Sequence, residues 1–545
     1  MDAKQKAEVL SQQFNSVFGE GKSYTIEEFN RKCNMTPGTY TKLEDINITS
    51  SGVKKLLQSQ NPHKACGPDG ISPRILKELA EEIAPILTNI YKSSISTGEV
   101  PSDWKSALVT PIFKKGEHYL PANYRPVSLT SVPCKILEHI VVSSLMEHLE
   151  KNTILCPQQH GFRKGKSCET QLLELTMELF DNTEEGKQTD MIVLDFSKAF
   201  DKVNHSLLIH KLHHYGVTRS GRLSNWIKNF LSDRRQAVVV EGSISEPCSV
   251  RSGVPQGSVL GPSLFLVYIN DLPEQITSQA RLFADDTAAY RIRASATDID
   301  HLQEDLRRLE IWEDSWEMSF HPDKCTTLPV TRKTTPFTSE YHLHGQILKT
   351  VESAKYLGVT IQKNLSWDKH INNVCVKANK TLGFLRRNLK ISAIKLKETA
   401  YKTYVRPILE YAATVWNPFS AKHIDRLEAV QRRAARFVVN RYHNRSSVSE
   451  MIDRLQWPSL QQRRKSSRLI MLYKIINDYI KINTPSIKPA PTRQRRGNQH
   501  QLCQLRCRTS YRQHSFLPET IRDWNELPED VAGAATLDTF MSRVG

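Results

Sequence analysis

Long apolar runs are missing from this chain. The longest, Ser258 to Ile269, is interrupted by Gly261 and Pro262 and falls well short of the roughly 20 residues that cross a bilayer. Membrane-spanning classes therefore drop out. The start, MDAKQKAEVLSQQF, has no apolar stretch behind its charges, so it is not read as a signal peptide. Ten cysteines are scattered without a repeated spacing, which excludes a disulfide framework and suits reduced thiols of cytosol or nucleus. Internal repeats are absent too. Acids are the scarce charge: 58 Asp and Glu against 75 Lys and Arg leave +17. That surplus favours a polyanionic partner, since each cation set on a phosphate releases counterions, although many basic proteins bind no nucleic acid.

What is present is ordinary globular material. Hydrophobic content of 39% beside 24% charged residues predicts that most of the chain folds. A length of 545 residues exceeds one compact core and predicts three or four units. Residues 1–60 are polar, with one helical stretch over Ala3–Phe18, and read as a linker. From 61 to 365, short β-like runs (Met191–Leu194, Ala237–Val240, Ala280–Ala284) alternate with amphipathic helices over 134–150, 170–184 and 298–316. In the last, Leu302, Leu306, Leu309, Trp312 and Trp316 recur at helical steps, marking one buried face. The mixture predicts α+β architecture, an antiparallel sheet backed by helices. From 366 to 460 the pattern is helical, with a stripe of Ile371, Val374, Ala378, Leu382 and Leu385 and a long helix over Lys397–Trp416. The remainder, 461–545, opens with a basic stretch: 461–512 holds thirteen Lys or Arg and one acid, Asp478, with a break at Pro485, Pro489 and Pro491.

Two acidic sites stand out. In Met191-Ile-Val-Leu-Asp-Phe-Ser-Lys-Ala-Phe-Asp201, four apolar residues make a buried strand with Asp195 at its end, where an unpaired charge is costly; capping of a following helix is the ordinary alternative. In Ala280-Arg-Leu-Phe-Ala-Asp-Asp-Thr-Ala-Ala-Tyr290, two acids between apolar segments predict a β-hairpin with Asp285 and Asp286 at its turn. Asp is common in turns, yet adjacent carboxylates repel, and a cation would remove that conflict. The two sites together can converge on a pair of Mg²⁺ ions.

These strings resemble a known family. Phe283-Ala-Asp-Asp286 is similar to the catalytic hairpin of reverse transcriptases, and Leu194-Asp-Phe-Ser-Lys-Ala-Phe-Asp201 to their preceding carboxylate motif. The resemblance implies a right-hand fold: fingers and palm over 61–365, a helical thumb over 366–460, then the basic C-terminal region. It implies Asp195 and Asp285 as metal ligands, the Phe196 carbonyl assisting and Asp286 close by, with two Mg²⁺ ions, or Mn²⁺ in their place. Phe200 becomes the ring that excludes a ribose 2′-hydroxyl, unless it is merely a core residue of the next helix.

The loop Gly253-Val-Pro-Gln-Gly-Ser-Val-Leu-Gly-Pro-Ser-Leu-Phe265 matches the family's nucleotide-binding loop, which assigns Gln256 and Gly257 to the nucleotide. Glycines on either side of Gln256 allow close backbone approach. Tyr124-Arg-Pro-Val-Ser-Leu129 and Gln159-His-Gly-Phe-Arg-Lys-Gly-Lys-Ser-Cys168 resemble finger motifs. There Arg125 would meet the triphosphate, and Arg163, Lys164 and Lys166 template phosphates; a solvated basic cluster is the alternative. Lys64 in Lys64-Ala-Cys-Gly-Pro-Asp-Gly-Ile71 is assigned to the template strand. Phe320-His-Pro-Asp-Lys-Cys325 gives Lys324 as the proton donor to pyrophosphate, with His321 where many relatives carry Asn. Tyr356, Leu357 and Gly358 resemble the primer-grip turn.

Arg406-Pro-Ile-Leu-Glu-Tyr411 and Ser515-Phe-Leu-Pro-Glu-Thr-Ile-Arg-Asp-Trp-Asn525 are similar to segments of non-LTR, LINE-type, jockey-like elements. The implied partners are an RNA template, a DNA primer or target and dNTPs, with no membrane and no assigned oligomeric state. The implied location is nucleus and cytoplasm. Neither the endonuclease usual in such elements nor a ribonuclease H acid pattern is seen, so a partial reading frame is expected, with nicking supplied elsewhere. A silent or domesticated RNA-binding relic is the alternative function; an intron maturase is disfavoured by the lack of its tail. His500, Cys503, Cys507 and His514 match no common finger spacing, so zinc is not expected.

Overall fold

The strand Gln188–Leu194 owes its place to Met191, Ile192 and Leu194, all buried; each side chain of this size withdraws apolar surface worth about 1.5–3 kcal/mol. A computed structural model describes all residues except 36–37, 44, 220, 296, 391–392, 444–445, 485 and 492–498. The strand is central in a five-stranded sheet ordered Lys349–Thr350, Thr326–Val330, Gln188–Leu194, Asp286–Arg293, Gln279–Phe283. Its three principal pairings are antiparallel, as expected, and the short edge strand Lys349–Thr350 pairs parallel.

Two compact units interleave along the chain. One comprises Met1–Phe162, Asp195–Thr277 and Glu304–His321; the other Arg163–Leu194, Ser278–Gln303 and Pro322–Gly545.

The first unit has its own sheet. Ser106–Phe113 pairs antiparallel with Tyr124–Leu129 and parallel with Arg234–Val240. Residues 1–60 hold more helix than the one stretch expected. Helices Ala3–Asn15, Ile26–Cys33 and Ser50–Gln58 form there, the first two closed by capping boxes and the third by the Thr49 side chain. Leu10 and Phe14 of the first helix share a small core with Val109 and Val238. The apolar run near Ser258 becomes helix Leu260–Ile269, buried along nearly its whole length. No described helix is long and apolar enough to cross a membrane.

In the second unit, one continuous core joins helix Cys168–Glu184, the five-stranded sheet and the later helices. The stripe Ile371, Ala378, Leu382 and Leu385 is buried on helix Asp368–Asn388 as its spacing predicts, with Val374 packed at the margin. The long helix expected over Lys397–Trp416 does not form. Helix Ile394–Tyr404 ends before Pro407, and a short helix Arg406–Glu410 restarts with that proline in its first turn, the position proline tolerates.

Candidate active site

The acidic hairpin stands on an ion-paired stalk. Strands Gln279–Phe283 and Asp286–Arg293 pair with Phe283 opposite Asp286. The turn residues are therefore Ala284 and Asp285, one position earlier than expected, and Asp286 opens the second strand. Ala284 takes φ 54°, a left-handed conformation that costs a non-glycine residue about 1 kcal/mol or more and clusters at functional sites. Asp286 is exposed and Asp285 half-buried. Below them, buried Arg281 pairs with Glu174 and Glu178 of helix Cys168–Glu184, and its Nε donates to the Tyr290 hydroxyl at 3.0 Å.

Strand Gln188–Leu194 runs beside this hairpin in the second unit, Leu194 facing Thr287. Asp195 follows Leu194 in the chain and is exposed. Its own environment lies in the first unit. The Asp195 carbonyl accepts from the His321 amide at 2.8 Å, the Ser197 amide donates to the Ser319 carbonyl at 2.8 Å, and Phe196 stacks on Phe320 at 4.2 Å. Backbone from 319–321 thus braces the Asp195 motif, which no local pattern announces.

Also in the first unit, the loop 252–257 is held by backbone. Gly253 donates to Val203, Val254 to Phe200, and Ser128 to the Gln256 carbonyl, each at 2.8 Å. Gly257 has φ 126°, and a Cβ there would lie 2.3 Å from the Ser128 oxygen; only glycine fits. Phe200 stacks on buried Phe265 with ring centres 4.2 Å apart and remains half-buried. Gln256 Nε2 donates to Asp201 Oδ1 at 2.8 Å. Burial pushes the Asp201 carboxyl above the usual carboxylate range, partly offset by that hydrogen bond and by the charges of Lys198 and Arg125. Glu138, fully buried, accepts from the Val259 and Leu260 amides at 2.7 and 3.0 Å, capping the helix that follows the loop.

Residues 112–361 match the family model described as reverse transcriptase (RNA-dependent DNA polymerase). This chain carries a reverse transcriptase domain. Over 397 residues it is 31% identical to the probable RNA-directed DNA polymerase from transposon BS of Drosophila melanogaster, covering 69% of this chain and 43% of that protein. Against the polymerases of the X-element and of mobile element jockey, from the same organism, identity is 29% and 27%, with 71% of this chain and 43% of each relative covered. The chain spans less than half the length of these relatives. The resemblance read from its motifs, and the α+β class, are borne out.

The other motif residues of the reverse transcriptase pattern divide between the units. In the first, Arg125 and Lys64 are exposed. In the second, Arg163, Lys164 and Lys166 occupy the turn before helix Cys168–Glu184, Lys164 exposed and the other two half-buried; Lys324 is exposed in a short 3-10 turn, Pro322–Lys324. Leu357 and Gly358, at φ 44° and 84°, close a two-residue hairpin between Ser353–Tyr356 and Val359–Gln362. Buried Tyr356 donates to the Arg281 carbonyl at 3.3 Å, and the Tyr411 hydroxyl to the Leu357 carbonyl at 3.0 Å, so the RPILEY segment braces the turn.

The basic C-terminal stretch is less free than its composition implies. Arg464 and Arg468 are buried. Arg463 pairs with Glu410, Lys465 and Arg468 with Asp523, and Arg512 with Asp181. Acids outside the run thus pair with four of its described cations. Pro485, Arg493, Arg495 and Arg496 lie outside the described residues.

Among the described residues, no three His, Cys, Asp or Glu side chains form a ready metal-holding group. His514 instead stacks on Phe419 at 4.6 Å, and Cys503 Sγ meets the Pro489 carbonyl at 3.3 Å. The acids at the hairpin tip still suit Mg²⁺, which prefers hard oxygen donors and usually takes one or two carboxylates, keeping waters and substrate phosphates for its other positions.

Proposed function

We propose that this chain is an RNA-directed DNA polymerase of the non-LTR retrotransposon type, joining deoxynucleotides to a primer 3′-hydroxyl. One observation carries the reading. The register of Leu194 on Thr287 runs the strand that leads to Asp195 alongside the strand that Asp286 opens, as the paired carboxylate motifs require.

In this reading Asp195, Asp285 and Asp286, with the Phe196 carbonyl, hold Mg²⁺, or Mn²⁺ in its place. A bound pair of such ions supplies activation of the primer hydroxyl and neutralisation of the leaving pyrophosphate. The chain's own groups do the rest. Arg125 pairs with triphosphate oxygens, Gln256 and Gly257 hold the nucleotide, and Phe200 occludes a 2′-hydroxyl. Lys324 gives a proton to the departing pyrophosphate. Lys64, Arg163, Lys164 and Lys166 hold the RNA template strand, and the Tyr356–Leu357–Gly358 turn supports the DNA primer end. The subdivision at 60, 365 and 460 into extension, fingers and palm, thumb and basic region belongs to the same proposal, as does a nuclear and cytoplasmic location.

Primer extension on poly(rA)–oligo(dT) with dTTP and Mg²⁺ tests it. Wild-type incorporation is expected, and Asp285→Asn should abolish it while RNA binding persists. An Asp285→Asn variant of full activity, or a wild-type chain that binds RNA and extends nothing, would reject the reading, the latter in favour of a silent relic.

A further inference from the structure

We infer that Asp201 is the positioning residue for Gln256, orienting its amide so that the carbonyl end is offered to the incoming nucleotide. The inference rests on the polymerase reading above and deepens it.

Asp201 is 7% exposed and Gln256 is half-exposed, so one end of the pair is anchored in the interior and the other faces out. A carboxylate only accepts hydrogen bonds, whereas a glutamine amide has one donating and one accepting end. The contact between Gln256 Nε2 and Asp201 Oδ1 at 2.8 Å therefore selects one of the two amide orientations and turns Oε1 away from the carboxylate. An apolar neighbour would leave both orientations open.

The surroundings fix Asp201 itself. Its carbonyl accepts from Ser252 Oγ at 2.7 Å, and Ser252 Oγ in turn accepts from the Gly19 amide at 2.7 Å. The Asp201 amide donates to the Lys198 carbonyl at 3.0 Å, and the preceding residue's carbonyl accepts from Val254 at 2.8 Å. The Gly253 backbone packs so tightly here that a Cβ would lie 2.7 Å from the carbonyl oxygens of Phe200 and Asp201. Two adjacent residues, Phe200 and Asp201, thus bear the proposed sugar-facing ring and the group that aims Gln256. On the far side, the Gln256 carbonyl is pinned by the Ser128 amide, which leaves the side-chain amide as the loop's adjustable part. A charged acceptor whose own backbone is held this firmly makes a rigid reference for it.

The test is a double-mutant cycle read in primer extension, with the dNTP KM and kcat measured separately. Asp201→Ala should raise the dNTP KM about tenfold, the size of one lost hydrogen bond to a charged group, with a much smaller change in kcat. On a Gln256→Ala background the same substitution should add less than about twofold, because the group it aims is gone. Asp201→Asn keeps the shape and decides the matter if the alanine variant fails to fold. Asn can meet either end of the glutamine amide, so the KM should rise about threefold in the wild-type background and not at all beside Gln256→Ala. Equal costs on both backgrounds, or no change in KM, overturn the inference and leave the polymerase reading intact. A wild-type chain without incorporation overturns both. Amide exchange at 252–257 gives a readout independent of turnover: it should quicken in Asp201→Ala, and unchanged protection there counts against the tether.

Discussion

The hairpin that carries Asp285 and Asp286 and the loop that carries Gln256 solve opposite problems. The hairpin sets charge at the tip of a stiff stalk: regular strand pairing and a buried Arg281 cluster below, exposed and half-exposed acids above. The loop has no regular pairing of its own, so its polar backbone is satisfied by Ser128, Phe200 and Val203 one bond at a time. A metal ligand needs freedom to meet ions and water. A nucleotide contact needs an address, and only a backbone pinned at several points supplies one.

The largest effect expected from breaking this contrast is at the tip. Asp285→Asn removes a charge without touching the stalk, and incorporation should fall about a thousandfold or more, with the melting temperature nearly unchanged. Cutting the stalk is the converse. Arg281→Leu strands buried Glu174, and urea unfolding should show a loss of about 3–5 kcal/mol; a loss below about 1 kcal/mol would mean that the cluster is not what braces the hairpin. Acid should weaken both units through one histidine in each, half-buried His213 and buried His370. Burial, with nearby positive charge, holds His213 and His370 down at about 4. Both stay neutral when folded but bind a proton when unfolded, so their stabilisation is complete above about pH 6.5 and is lost as pH falls toward 4, up to about 3 kcal/mol for buried His370 and less for half-buried His213, which solvent screens. Melting curves across that window should flatten in His370→Gln. In the loop, Gly257→Ala drives a methyl onto the Ser128 oxygen and should cost about 1–3 kcal/mol, read as a lower melting temperature and a higher dNTP KM. Smallest in free energy, Phe200→Ala should leave the fold in place and raise ribonucleotide use about tenfold, one hydroxyl-sized discrimination. Unchanged sugar selectivity removes the gate assignment.

Much of the hairpin was legible, because alternating apolar residues around two acids admit few other structures. Its register was not: Phe283 pairs with Asp286, which shifts the turn by one residue. Pro407 was a readable break in the Lys397–Trp416 run that the helical spacing masked. The basic stretch after 460 was plain as composition, but its partners Glu410, Asp181 and Asp523 lie far away along the chain, and pairing at that range leaves no local pattern. The same holds for Glu138, which caps a helix more than a hundred residues downstream, and for Asp201, conspicuous in the sequence only as the residue after Phe200.

Residue order alone determined the secondary-structure mixture, the motif positions and the chemical types at each of them, since these depend on neighbours within a few residues. Which carboxylates stay exposed, which cations are neutralised, and which side chain aims Gln256 were decided only in the folded chain. Burial and hydrogen-bond partnership arise when distant segments meet, and no short window of sequence contains them.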